Sequence, residues 1–213
     1  MHLGHLVTVW RSLQIASVML MSGVTATTMA ADAPPLILEH LTTTDGLPQG
    51  TVYTTLQDSQ GFIWLGTEDG LVRYDGHELV RYAYSRDDHN SLPGNFVYEV
   101  VEDGSHNLWI ALKDAGLARW NRTTDSFTVW RHEAGNAQSL SSDAARTLAA
   151  NPQGQIWIGT SDAGINVLDP KTHRIDHLRH DDGKPGSLVD DRILTLTLDR
   201  SGRMWVGTEK GLD

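Results

Sequence analysis

Cysteine is absent from all 213 residues, which excludes disulfides, thiolate metal sites and thiol nucleophiles and leaves the redox compartment open. Cations are scarce: 17 Lys and Arg stand against 27 Asp and Glu, a net charge of −10. A surface for nucleic acid or anionic lipid rewards clustered positive charge, so neither partner is expected. Catalytic signatures are missing as well. There is no Gly-x-Ser-x-Gly elbow, no His-Glu-x-x-His and no phosphate-binding loop, and nothing pairs a nucleophile with a base at matched positions. The chain is expected to be no enzyme and to need no cofactor.

Long apolar runs are confined to the N-terminus. Residues 1–30 hold one formal charge, Arg11, followed by the run Leu13 to Val24 and a small-residue tail, Thr25 to Ala31. The run is closer to the roughly 7–15 residues of a signal-peptide core than to the roughly 20 that cross a bilayer. Residues 1–31 are therefore expected to be a signal peptide cut after Ala30 or Ala31, with residues 32–213 exported to the periplasm. Membrane attachment is expected only through sequence beyond residue 213.

What is present is repetition. The segments DSQGFIWLGT, DGSHNLWIAL, NPQGQIWIGT and DRSGRMWVGT place Trp64, Trp109, Trp157 and Trp205 at intervals of 45, 48 and 48 residues. Leu47, Leu92, Leu140 and Leu188 each stand 17 residues earlier, giving a second ruler. A period in this range marks propellers and solenoids. Each unit reads as four short strands: Val52 to Gln57, Phe62 to Thr67, Leu71 to Tyr74 and Glu78 to Ala83 in the first. Val97 to Glu102 and Ile193 to Leu198 open later units; Ser126 to Arg131 and Arg174 to Leu178 close them. Four antiparallel strands per repeat make a propeller blade. The expected fold is all-β, a partial β-propeller of about four repeats with the last incomplete.

Local chemistry fits that topology. Asp58 with Gly61, and Asp199 with Gly202, place Asp first and Gly fourth in a tight turn. The second copy has His106 at the glycine position, which predicts a distorted turn. Gly66, Gly159 and Gly207, two residues after their tryptophans, predict close approach of neighbouring sheets, with Ala111 nearly preserving it. The four tryptophans are read as packing anchors between blades rather than as a site.

The units D-x-x-G-x-[IM]-W-[ILV]-G-T followed by G-[LI]-x-x-[YL]-D resemble the two-component regulator propeller repeat over about residues 36 to 213. The resemblance implies a bacterial periplasmic sensor region with many blades in tandem, then a small β-sandwich, a membrane helix and an output domain, commonly a histidine kinase or a GGDEF diguanylate cyclase. No such output domain lies in these residues. Closed propellers have about 4–8 blades, so the chain reads as a sensor fragment, with Leu36 to Leu41 resembling an outermost strand without its blade. The alternative is a stand-alone exported binding protein that completes its ring by self-association.

Strand order puts the second-to-third turns and the long connections between blades on one face. The candidate ligand-binding residues are Asp69, Asp114 and Asp162 on that face, with aromatic neighbours, for a small polar ligand or a periplasmic partner. Exposed acidic turns also suit solubility alone. His173, His177 and His180 are not expected to hold metal, because alternation along a strand turns His180 away from the other two.

Overall fold

The computed structural model describes residues 38–213. The expected signal peptide lies outside the described residues. Three four-stranded antiparallel sheets follow one another along the chain in simple up-and-down order. The first holds β1 (Val52–Gln57), β2 (Ile63–Thr67), β3 (Gly70–Tyr74) and β4 (Leu79–Tyr82). The second holds β5 (Val97–Glu102), β6 (Leu108–Leu112), β7 (Gly116–Asn121) and β8 (Ser126–Trp130). The third holds β9 (Ala145–Ala150), β10 (Ile156–Thr160), β11 (Ile165–Leu168) and β12 (Ile175–Leu178). A fourth sheet pairs β13 (Ile193–Leu198) with β14 (Met204–Thr208). The expected strands are all present, within a residue or two at their ends. The exception is Leu36 to Leu41: residues 36–37 lie outside the described residues, and 38–41 form no strand. Leu41 packs instead against Leu47, Leu65 and Val72, and so serves the first sheet by side-chain burial rather than by backbone pairing.

The first strands of consecutive sheets are neighbours, β1 with β5, β5 with β9 and β9 with β13, which makes them the inner strands of successive blades. Each core therefore lies between two sheets, as expected for blades covered on both faces. Trp64 packs at the first boundary with Val97, Val100 and Trp120. Trp109 packs at the second with Ala145, Leu148 and Ile156. Ile193, Leu196 and Val206 meet Ile165 and Val167 at the third. Trp64 and Trp109 are fully buried, whereas Trp205 is 39% exposed. The leucine ruler has the same cause, since Leu47, Leu92, Leu140 and Leu188 are all buried.

The close approach expected at Gly66 and Gly159 is present. A Cβ on Gly66 would stand 2.7 Å from Val97 of the next blade, and one on Gly159 would stand 2.6 Å from Ile193 of the next blade. At Gly207 the nearest atom, 2.7 Å away, belongs to Thr195 of the same sheet. Where Ala111 replaces the glycine, the residue equivalent to Val97 and Ile193 is Ala145, and both alanines are fully buried in one cluster. The boundaries thus read Gly with Val, Ala with Ala and Gly with Ile, so that a gain of volume on one sheet is matched by a loss on the next.

The tight turns between first and second strands share one geometry. Residue four donates to the carbonyl of residue one at Gly61, His106, Gly154 and Gly202, over 2.9–3.0 Å. His106 was expected to distort its turn and does not. It takes φ 63°, in the left-handed region of Gly61, Gly154 and Gly202, because the hydrogen bonds of Asp103 to Ser105 and Asn107 hold the loop in place. The strain of a non-glycine residue there is about 1 kcal/mol, so His106→Gly is expected to stabilise the protein by about that amount in urea unfolding. An unchanged midpoint would show the turn to be relaxed.

The leading Asp of each turn does a second job that its turn role conceals. One carboxylate oxygen receives the turn N–H groups while the other receives the indole N–H of the tryptophan six residues on. The pairs are Asp58 with Trp64 at 2.8 Å, Asp103 with Trp109 at 2.8 Å and Asp199 with Trp205 at 3.0 Å. In the third blade the residue is Asn151. Its oxygen takes the Gln155 N–H and its amide donates to the Gln155 side chain. An amide has one acceptor where a carboxylate has two, and the Trp157 indole nitrogen is left buried without a partner. Asn151→Asp is expected to stabilise by about 1 kcal/mol, the order of an orphaned buried donor regained, with Gln155 turning to donate as Asn107 does to Asp103. Thermal unfolding at neutral pH measures this, and a lowered midpoint would contradict it.

Candidate functional site

The face carrying the long connections is a built surface. Each connection is tied back to the second-to-third turn of its own blade: the N–H groups of Gly70, Gly116 and Gly164 donate to the carbonyls of Asn95, Asp143 and Asp191, each over 2.8 Å. Those same three side chains receive the N–H groups of Tyr84, His132 and His180. Inside each loop a serine hydroxyl accepts the N–H of the residue six positions earlier, Ser91 from Ser85, Ser139 from Glu133 and Ser187 from Asp181. Loops braced in this way hold their side chains in fixed positions at low entropic cost.

The inner strands reach the same face by a repeated device. In all four sheets the register slips at the second residue of the first strand, leaving Tyr53, Tyr98, Arg146 and Leu194 as bulged residues. A bulge adds one unpaired residue and re-aims its side chain. Four neighbouring inner strands therefore carry Tyr, Tyr, Arg and Leu at the same end, termed the mouth. Phe96 lies between the two tyrosines, with ring centres 4.9 Å from Tyr53 and 4.7 Å from Tyr98. Lys113, in the turn after β6, stands 5.2 Å over the Phe96 ring, and Arg146 stands 5.9 Å over Tyr98. The Tyr53 hydroxyl donates to Glu68 at 2.5 Å, and this bond, with partial burial and the nearby Glu68 charge, raises the tyrosine pKa above its ordinary value.

The sequence-derived candidates sit on this face but one residue further along their turns. Asp69 is held by Arg81 of its own outer strand, which bonds both its carboxylate and its carbonyl. Asp114 occupies the left-handed region at φ 57° and is exposed, as is Asp162. The residues that join the aromatic mouth are their predecessors, Glu68 and Lys113. Of the histidines, His173 lies in the turn before β12 with φ 60°, while His177 and His180 bond the carbonyls of Ser139 and Leu188. Two grooves between connections repeat on the rim at equivalent places. One of about 380 Å³ includes Tyr84, Pro93 and Arg131; the other, about 300 Å³, includes His132, Ser141 and Arg179. In the first, Arg131 is tethered to the Pro93 carbonyl at 3.2 Å.

One inner-strand carboxylate bridges blades. Glu99 stands where the other three sheets have Thr, and it accepts the Leu148 N–H of the next inner strand at 2.6 Å. Burial holds its pKa up against the bonds from Leu148 and Thr147. Thr147 repeats the bridge at the next boundary, accepting the Leu196 N–H at 3.2 Å.

Residues 46–69 and 187–210 match the family described as two component regulator propeller. Those two segments are two-component regulator propeller repeats. They are the first and fourth copies of the internal repeat; the second and third share their tryptophan ruler and, with the first, a four-stranded order. Over 82 residues the chain is 34% identical to histidine kinase P4 of Formosa agariphila, a stretch covering 38% of this chain and 6% of that one. Among solved structures, an extracellular domain assigned to the hybrid two component system BT3049 of B. thetaiotaomicron superposes with a TM-score of 0.74 at 27% identity, covering 84% of this chain and 26% of that one. The extracellular domain of BT4673 from the same organism superposes with a TM-score of 0.64 at 23% identity, covering 78% and 21%, and shows the fold alone. The chain spans about a quarter or less of the length of these three proteins. Among the described residues no helix is long and apolar enough to cross a membrane.

Proposed function

We propose that this propeller senses a small polar ligand in the periplasm on behalf of a signal-transduction receptor with histidine kinase or diguanylate cyclase output carried outside these residues. The observation that carries the reading is the 27% identity, over 84% of the chain, to a domain described as the extracellular part of a hybrid two component system. The apolar N-terminal run ending in small residues supports export. The braced loop face, with aromatic and charged side chains set on inner-strand bulges, supplies a surface suited to recognition.

Two measurements test this together. Expressed with its own N-terminus in a Gram-negative host, the protein should be released by osmotic shock with periplasmic markers. In the receptor that carries it, excision of residues 40–213 should abolish the response to stimulus while output in the absence of stimulus persists. A cytoplasmic protein, or a receptor that still responds, overturns the reading.

A further inference from the structure

The bulge at the second residue of each inner strand is one backbone solution used four times, yet the residues placed on it vary: two tyrosines, Tyr53 and Tyr98, then Arg146 and Leu194. Packing does not require this, because the flanking positions that do pack stay apolar, with Val97, Ala145 and Ile193 fully buried. A fixed backbone with varied side chains at a common mouth is the pattern of a recognition surface. We propose that the mouth lined by Tyr53, Phe96, Tyr98, Lys113 and Arg146 binds a small carboxylate carried on a ring with a flat face. The proposal rests on the sensing role above and specifies its ligand.

Three features select that chemistry. The rings of Tyr53, Phe96 and Tyr98 lie at 45–85° to one another rather than stacked, and Tyr53 is 43% exposed, which leaves that ring open to a flat partner. Two cations lean over adjoining rings, Lys113 over Phe96 and Arg146 over Tyr98. Neither makes an ion pair among the described residues, in a protein whose net charge is −10. Glu68, beside the rings, accepts a hydrogen bond from the Tyr53 hydroxyl. An uncharged ring would leave both cations unused, and an inorganic anion would leave the rings uncovered. A ring carboxylate uses both, with Arg146 offering a planar fork to the two oxygens.

Isothermal titration of the purified chain decides the matter with two acids and their neutral counterparts: 4-hydroxybenzoate against 4-hydroxybenzyl alcohol, and galacturonate against galactose. At least one acid should bind, with its counterpart at least tenfold weaker; which acid binds tells an aromatic ring from a sugar ring. Arg146→Ala and Lys113→Ala should each weaken binding by about tenfold with unfolding midpoints unchanged, the order of a lost charge-assisted bond. Arg146→Lys should retain part of the affinity. Equal binding of acid and neutral compound, undiminished binding by both alanine variants, or no binding of either acid overturns the proposal. The receptor assay separates the two readings: a receptor that needs residues 40–213 for its response but is unaffected by Arg146→Ala and Tyr98→Ala retains its sensing role and loses this site, whereas one indifferent to excision loses the sensing role itself.

Discussion

Gly159→Ala is expected to destabilise the protein by about 2–3 kcal/mol, a large effect for one methyl group. The added Cβ would meet Cγ2 of Ile193 across the boundary and Cγ2 of Thr147 within its own sheet, both at 2.6 Å. Both obstacles are β-branched residues with stiff rotamers on inner strands, so neither can swing aside cheaply. The second boundary shows how the protein itself accommodates the same methyl. Opposite Ala111 the residue across the boundary shrinks to Ala145, and the residue paired within the sheet becomes the unbranched Glu99. Gly159, Thr147 and Ile193 in one boundary thus correspond to Ala111, Glu99 and Ala145 in the other.

That correspondence turns the prediction into a cycle. Ile193→Ala alone removes a buried side chain and costs about 2–4 kcal/mol. Combined with Gly159→Ala, part of the cavity is refilled and half of the clash is removed, so the double variant should be more stable than the sum of the singles by about 1–2 kcal/mol. Urea unfolding of the four proteins measures the coupling. Simple additivity would mean that the sheets separate freely and that the glycine has no steric role.

The sequence carried the blade plan because its signals are those of packing. Trp64, Trp109 and the leucine ruler mark positions that only a large apolar side chain can fill, and the period is written by the core. Gly66 and Gly159 were legible for the same reason. Two things were not. The Asp to Trp bond was masked because Asp58 already has a sufficient explanation as a turn residue; the constant spacing of six residues in the first, second and fourth copies, and Asn151 in place of Asp in the third, held the signal. The mouth was less legible still. Alternation along a strand predicts which face a side chain takes, but a bulge breaks alternation without leaving a mark in composition, and no residue type is common to all four of Tyr53, Tyr98, Arg146 and Leu194. Acidic turn residues drew attention instead, and the structure sets their neighbours Glu68 and Lys113 beside the rings.

Asp58→Ala should be the most damaging polar substitution, at about 3–4 kcal/mol near neutral pH, because it removes the acceptor for four donors at once. The carboxylate has no solvent exposure. It takes the Trp64 indole N–H at 2.8 Å, the Gln60 and Phe62 N–H groups at 2.9 and 3.0 Å, and the Arg122 guanidinium at 3.0 Å. Arg122 comes from the second blade, also bonds Glu102 and Gln60, and lies over the Trp120 ring. The substitution therefore opens a turn, orphans a buried indole and loosens the first blade boundary together. Asp58→Asn keeps one oxygen and recreates the arrangement at Asn151, so about half the loss is expected. The pH dependence follows from the same contacts. Burial alone would raise the Asp58 pKa, but the Trp64, Gln60, Arg122 and Phe62 donors outweigh it and hold the value below the ordinary carboxylate range. A carboxyl whose pKa is lower in the folded state contributes stability above its unfolded value, near 4, and loses that contribution as pH falls towards the folded value. The gap between wild type and Asp58→Asn should accordingly be widest at pH 6–7 and narrow steadily below about pH 4. A gap that stays constant down to pH 3 in urea unfolding would show that the proton-dependent bonds at Asp58 contribute nothing and that the loss is one of shape alone.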